Sequence, residues 1–90
     1  MKEIFSRTIN LIGEANFNKL KNAKILLFGV GGVGGYVFEA LIRAGVENIT
    51  IIDADVVEES NLNRQIIATR KTIGKYKVDV AKERILEINP

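Results

Sequence analysis

The chain has 90 residues, enough for one domain or part of one. Hydrophobic residues make up 47% and charged residues 27%, a globular balance, and 13 basic against 11 acidic side chains leave a net charge of only +2, too small an excess to demand a nucleic-acid partner. With no cysteine or histidine, this segment has no disulfide, zinc–thiolate site, cysteine nucleophile or imidazole base; no apolar run approaches the ~20 residues of a membrane span, and charge comes too early at the N-terminus for a signal peptide, so a cytoplasmic location is the default expectation.

The first stretch, Lys2 to Leu11, reads as a short helix stopped near Gly13, and a second helix runs to about Lys21 with Asn22 as its stop. Lys24 to Phe28 is a continuous apolar run bounded by Gly29, the pattern of a strand buried on both faces in a parallel sheet. Val33, Val37, Ala40, Leu41 and Ala44 then recur at helical spacing, which predicts a helix with that face inward, closed by Gly45. Asn48 to Asp53 is the second strand. Strand, glycine turn, helix and strand make one right-handed βαβ unit. Ala54 to about Thr72 is expected to be irregular with at most one helical turn. Lys75 to Ile88 is expected to be a helix with Val78, Ala81, Ile85 and Ile88 on one face, ended by Asn89-Pro90.

The fold class is α/β and Rossmann-like, its N-terminal part only: a helical segment over 1–22, then a partial nucleotide-binding domain over 23–90, truncated before its third strand. Two parallel strands would leave both sheet edges bare, an invitation to association.

Gly29, Gly31 and Gly34 have the spacing G-x-G-x-x-G between a strand and a helix. The first permits the sharp turn, the second lets backbone approach phosphate, and the third lets helix and strand pack closely. Gly32 and Gly35 make the loop barer still, and the helix N-terminus behind it offers free N–H groups to an anion. Asp53 ends the second strand nineteen positions after Gly34, where a carboxylate accepts from ribose hydroxyls. Asp55 is either part of that site or a turn residue bonded to nearby backbone.

This much would suit an NAD-binding domain, but Ser60, Asn61, Asn63, Arg64 and Gln65 then cluster just beyond the acidic strand end. Arg64 could grip phosphate oxygens in a bidentate manner, with the asparagines orienting it; its alternative is a surface ion pair with Glu58 or Glu59. Lys77 falls in the first turn of the last helix, unfavourable for a cation unless an anion binds beside it; its alternative is a solvated helix position, and Lys75 competes for the same role.

GVGGVG, IDAD, SNLNRQ and GKYK, in this order and spacing, resemble the ubiquitin-activating-type adenylating superfamily, and the likeness spans essentially the whole chain. FSRT (Phe5–Thr8), LIGE (Leu11–Glu14), EALIRAG (Glu39–Gly45), NRQIIAT (Asn63–Thr69) and ERILEINP (Glu83–Pro90) are similar to its tRNA threonylcarbamoyladenosine dehydratase branch. The departures are Gly35, where the branch usually has a small polar residue, and Asn10, where a glutamate is common.

The resemblance implies ATP and Mg2+ as cofactors. Gly29, Gly31, Gly32 and Gly34 would form the phosphate loop and Asp53 would hold the ribose. Asn61, Arg64 and Lys77 would bind and polarise the triphosphate. Arg7 would reach the partner's ATP across a homodimer, or it is simply an exposed helix arginine. No metal ligand is assigned within the chain. The superfamily's second aspartate and any zinc-binding cysteines would lie beyond Pro90, so these 90 residues are expected to be inactive alone. The implied reaction is adenylation of a carboxylate, that of threonylcarbamoyladenosine in tRNA. A sister branch instead adenylates the C-terminus of a ubiquitin-like sulfur carrier protein. An NAD-dependent oxidoreductase domain and a non-catalytic nucleotide-sensing module are the remaining readings.

Overall fold

A computed structural model describes residues 3–89. Helices α1 (Ser6–Ile12, led by a 3-10 turn at Glu3–Phe5) and α2 (Glu14–Asn22) precede strand β1 (Lys24–Phe28), helix α3 (Gly32–Ala44), strand β2 (Asn48–Ile52), a 3-10 turn (Glu59–Asn63) and helix α4 (Lys77–Ile88). Lys2 and Pro90, which the sequence reading places in the first helix and at the last stop, lie outside the described residues. Helix α4 starts two residues later than the spacing suggests, because the Lys77 N–H is taken by the Asp55 carbonyl at 2.9 Å and Tyr76 remains extended.

Strands β1 and β2 pair in parallel with Lys24 opposite Asn48 and Phe28 opposite Ile52, and they form the one sheet among the described residues. The expectation of burial on both faces is corrected: exposed and half-buried positions alternate along both strands. Ile49, Ile51 and Leu27 pack on the core, whereas Leu26, Phe28 and Ile52 on the other face are exposed. Among the described residues, packed elements cover only one side of the sheet.

The core joins Val30, Phe38 and Ile42 to Val57, Ile67, Val80 and Ala81. This corrects the inward face expected for α3. Its buried residues are Gly35, Phe38, Glu39 and Ile42, while Val33 and Val37 point out, Val33 at 81% exposure. The helix is apolar on both sides, so spacing alone selects the wrong face. In α4, Val80 rather than Val78 is fully buried beside Ala81; Ile85 and Ile88 pack against the core as the spacing suggests.

The N-terminal helices attach through aromatic contacts. Phe5 and Phe17 stack at 5.4 Å, and the Phe17 ring fills the space over Gly45, where a Cβ would lie 2.7 Å from its Cε1. Gly45 also needs its positive φ of 116° to end α3.

Glu39 is a buried acid between two helices. Its carboxylate accepts from Arg43 Nε at 2.7 Å and from Arg84 Nε and Nη2, tying α3 to α4. The Arg84 hydrogen bonds, with Arg43 beside them, outweigh burial and hold this carboxyl below its ordinary range. A depressed folded-state value stabilises the fold above the unfolded-state value, and that stabilisation fades as pH falls through the folded-state value. Glu39→Gln should therefore cost about 2 kcal/mol at neutral pH, less than a fully buried pair because both arginines reach solvent, and should flatten the loss of stability in acid. Urea unfolding between pH 7 and pH 3 checks this; an unchanged acid slope would mean that other carboxylates govern it.

Candidate functional site

The parallel register brings the C-terminal ends of β1 and β2 side by side, and the chemistry-bearing residues gather there. Gly29 leaves β1 with φ of 88° and donates its N–H to Ile52 O at 2.8 Å, extending the strand pairing by one step. Gly34 sits directly over Gly29: a Cβ there would fall 2.9 Å from the Gly29 carbonyl carbon and closer still to its oxygen. Only glycine lets α3 start this near the strand. Gly31 caps α3 and Gly32 opens it, so free N–H groups of its first turn face outward beside the strand ends.

Asp53 joins the two strand ends. Its Oδ2 accepts from Val30 N at 3.0 Å and its Oδ1 from Asp55 N at 2.9 Å. The turn bond left open for Asp55 is thus made by the Asp53 side chain onto Asp55 backbone, and the carboxylate assigned to ribose also holds the glycine loop.

Beyond the strand, the chain folds back on the entry to α4. Val57 N donates to Lys75 O and Gly74 N to Val57 O, each at 2.8 Å. This clasp sets Lys77 against the glycine loop. Lys77 is buried, 6% exposed, which removes the solvated alternative. Its ammonium makes no ion pair with any described residue. Lys75, the competitor, is exposed and lies 3.9 Å from Glu83.

An open cleft of about 510 Å3 lies at this edge, lined by Asp55, Glu58, Asn61, Arg64, Gln65 and Lys77 among others. Asn61 is buried, and its Oδ1 accepts from Glu58 N at 2.8 Å. That bond fixes the amide and leaves its NH2 for the cleft. Arg64 is exposed; its Nη1 donates to Ser60 O at 3.1 Å and Asn63 Oδ1 at 2.9 Å. Neutral acceptors therefore orient the guanidinium, and no described carboxylate pairs with it, so the ion pair with Glu58 or Glu59 does not form. Ser60 and Asn63 support Arg64 rather than line the cleft. Arg7 is exposed on α1 and is not among the residues lining the cleft.

Gln65 is the residue that sequence reasoning left without a role. It is 8% exposed, and its Oε1 is buried without a hydrogen-bond partner. Its place beside Arg64 in the polar cluster was the only available signal; its burial depends on how the loop folds over Gly31.

A βαβ unit with a bare glycine loop, an acidic strand end and two cations at one edge defines a Rossmann-like nucleotide-binding protein. The ThiF family matches residues 5–90, and the chain belongs to that family. It is 46% identical over 86 residues to the tRNA threonylcarbamoyladenosine dehydratase of Bacillus subtilis strain 168, covering 96% of this chain and 34% of that protein. A crystal structure of the Escherichia coli dehydratase in complex with ATP superposes with a TM-score of 0.96 at 44% identity, over 99% of this chain and 37% of that one. The adenylyltransferase and sulfurtransferase uba4 of Aspergillus clavatus is 44% identical over 72 residues, 80% of this chain and 15% of that protein. The chain thus spans about a third of the length of its dehydratase relatives.

The two backbone bonds of Asp53 make a direct test. Asp53→Asn keeps the shape but offers one acceptor oxygen where two stood. It should cost about 1–2 kcal/mol and speed hydrogen exchange at the Val30 amide. Unchanged exchange at Val30 would show that the carboxylate does not hold the loop.

Proposed function

We propose that this chain is the ATP-binding part of an enzyme that adenylates a carboxylate, and that its substrate is the threonylcarbamoyl group of a modified adenosine in tRNA. The observation that carries the reading is that the buried Lys77 lies against Gly31 of the glycine loop and lines one cleft together with the neutrally held Arg64. A dinucleotide-binding domain has no need of two cations there. The dehydratase relatives and the ATP complex of one of them support the same choice.

In this proposal residues 23–90 form the nucleotide-binding unit. The Gly29, Gly31, Gly32 and Gly34 backbone receives the phosphates, Asp53 stands at the ribose end, and Asp55 lines the cleft with Arg64 and Lys77. The Asn61 NH2 and the Lys77 ammonium donate to phosphate oxygens, and Arg64, steadied by Ser60 and Asn63, stabilises the charge that develops as pyrophosphate departs.

A substrate carboxylate oxygen attacks the α-phosphorus. The bond from that phosphorus to the bridging oxygen breaks, and pyrophosphate leaves with the electron pair. A nitrogen on the substrate then attacks the activated carbonyl, the bond to AMP breaks, the nitrogen loses its proton, and a ring closes with net loss of water. The protein supplies no nucleophile.

Among the described residues, no three His, Cys, Asp or Glu side chains gather as a metal-holding group. Mg2+ commonly sits on phosphates with one or two protein carboxylates. Asp55 lines the cleft, and its carboxylate bonds to no described residue, so it fits as one ligand. When bound, the ion offsets phosphate charge. No helix among the described residues is long and apolar enough to cross a membrane, and the proposed site of action is the cytoplasm, where tRNA and ATP meet. The 44% identity to uba4 favours a second reading, adenylation of a ubiquitin-like sulfur carrier.

Exchange of labelled pyrophosphate into ATP by the full-length protein separates these readings. Exchange that depends on threonylcarbamoyladenosine-bearing tRNA supports the first, and dependence on a carrier protein supports the second. Arg64→Ala should lower exchange about 100-fold or more; full exchange would remove Arg64 from the site.

Arg7, exposed on α1, is proposed to complete the site of the partner in a homodimer. Arg7→Ala subunits mixed with Arg64→Ala subunits should then regain about a quarter of wild-type activity, since half the random dimers carry one intact site. No recovery would place Arg7 outside the neighbouring site.

A further inference from the structure

Gln65 and Lys77 are both more than nine-tenths buried, and both lie against the same glycine. A Cβ added to Gly31 would sit 3.4 Å from Gln65 Nε2 and 3.9 Å from Lys77 Nζ. Two nitrogens therefore point at the bare face of one backbone residue, and both belong to side chains that line the cleft. Neither is held there by an acceptor: Lys77 makes no ion pair with any described residue, and the other end of the Gln65 amide, Oε1, is buried and unpartnered. Folded proteins rarely leave such groups unmatched. An amide whose NH2 shares the Gly31 surface with an ammonium, and whose oxygen has no partner, is poorly placed for the protein alone. It is well placed for an anion seated between the two nitrogens.

We infer that Gln65 is a phosphate-binding residue: its Nε2 and Lys77 Nζ together grip one phosphate oxygen over Gly31, a contact that requires the amide to keep its NH2 on this side and its Oε1 in the unpartnered position. The inference rests on the nucleotide reading above and extends it to a residue that reading does not need. It also gives a function to the bareness of Gly31, since a Cβ there would touch the Gln65 amide at 3.4 Å and take up space between the two nitrogens.

The contact and a merely structural role predict opposite stability effects. Gln65→Met keeps the volume and removes both the donor and the orphaned acceptor. Without nucleotide, the full-length variant should melt at the same temperature as wild type or a few degrees higher, because an unpaired buried oxygen is lost. Its ATP dissociation constant, measured by calorimetry, should rise about 10-fold, the loss of one hydrogen bond to a charged group. Adenosine affinity should not change. Gln65→Glu should weaken ATP further by placing a carboxylate beside phosphate, while Lys77 keeps the empty variant folded.

Wild-type ATP affinity in Gln65→Met, a lowered melting temperature of that empty variant, or equal losses for ATP and adenosine would each overturn the assignment. Lys77→Ala separates this from failure of the nucleotide reading. If Lys77→Ala weakens ATP and Gln65→Met does not, only the role of Gln65 falls; if neither weakens ATP, the phosphate site itself is misplaced.

Discussion

The architecture of the cleft depends on one carboxylate. Asp53 ends β2, yet its two oxygens accept from the glycine loop at Val30 and from the following turn at Asp55. Parallel strands have no direct connection at their C-terminal ends, so something must stop the two loops there from moving apart. A carboxylate suits this task, since it accepts at both oxygens and its bonds to backbone N–H groups are charge-assisted. With the loop fixed, Gly34 can lie against Gly29 and α3 can start beside the strand ends. The same turn presents the Asp55 carbonyl to Lys77 N, so α4 inherits its starting point from β2.

Much of this was legible in the sequence for local reasons. Glycines at strict spacing, a strand-end acid and apolar runs of five residues are each set by backbone geometry, and both strands and the glycine turn lie where those signals fall. The outward face of α3 was not legible. Val33, Val37 and Ala40 repeat at helical spacing as well as Phe38 and Ile42 do, and periodicity reports apolarity, not direction. Which stripe turns inward is decided by α4, which meets α3 through Val80, Ala81 and the Glu39–Arg84 pair. The strands show the same limit: their composition suits two covered faces, and the described residues cover one.

The polar residues divide along the same line. Arg64 and Asn63 are neighbours in sequence, and their contact follows from the turn that holds them. Lys77 and Gln65 are twelve positions apart, and each reaches Gly31 only because the clasp between Val57 and residues 74–75 closes the intervening loop. A lysine at the start of a helix reads as a solvated cation disfavoured by the dipole. Burial reverses that reading, and burial is a tertiary property.

Electrostatically, the molecule uses two different solutions for buried charge. Glu39 is fully matched: two arginines surround it, its ionised form is favoured, and the pair fastens α3 to α4. Lys77 is held by no opposite charge among the described residues, and the amide beside it has an unpaired oxygen. Glu39 lies seven residues beyond Gly32 on α3, and Arg84 seven beyond Lys77 on α4, so the matched pair stands about two turns behind the N-terminus of each helix. A rigid cross-link at that depth lets the helix N-termini carry uncompensated cationic and amide groups without the helices drifting apart to hydrate them. The placement makes physical sense if the missing partner is an anion that arrives from solvent. Satisfying Lys77 internally would have stabilised the empty fold and closed the cleft to a charged ligand.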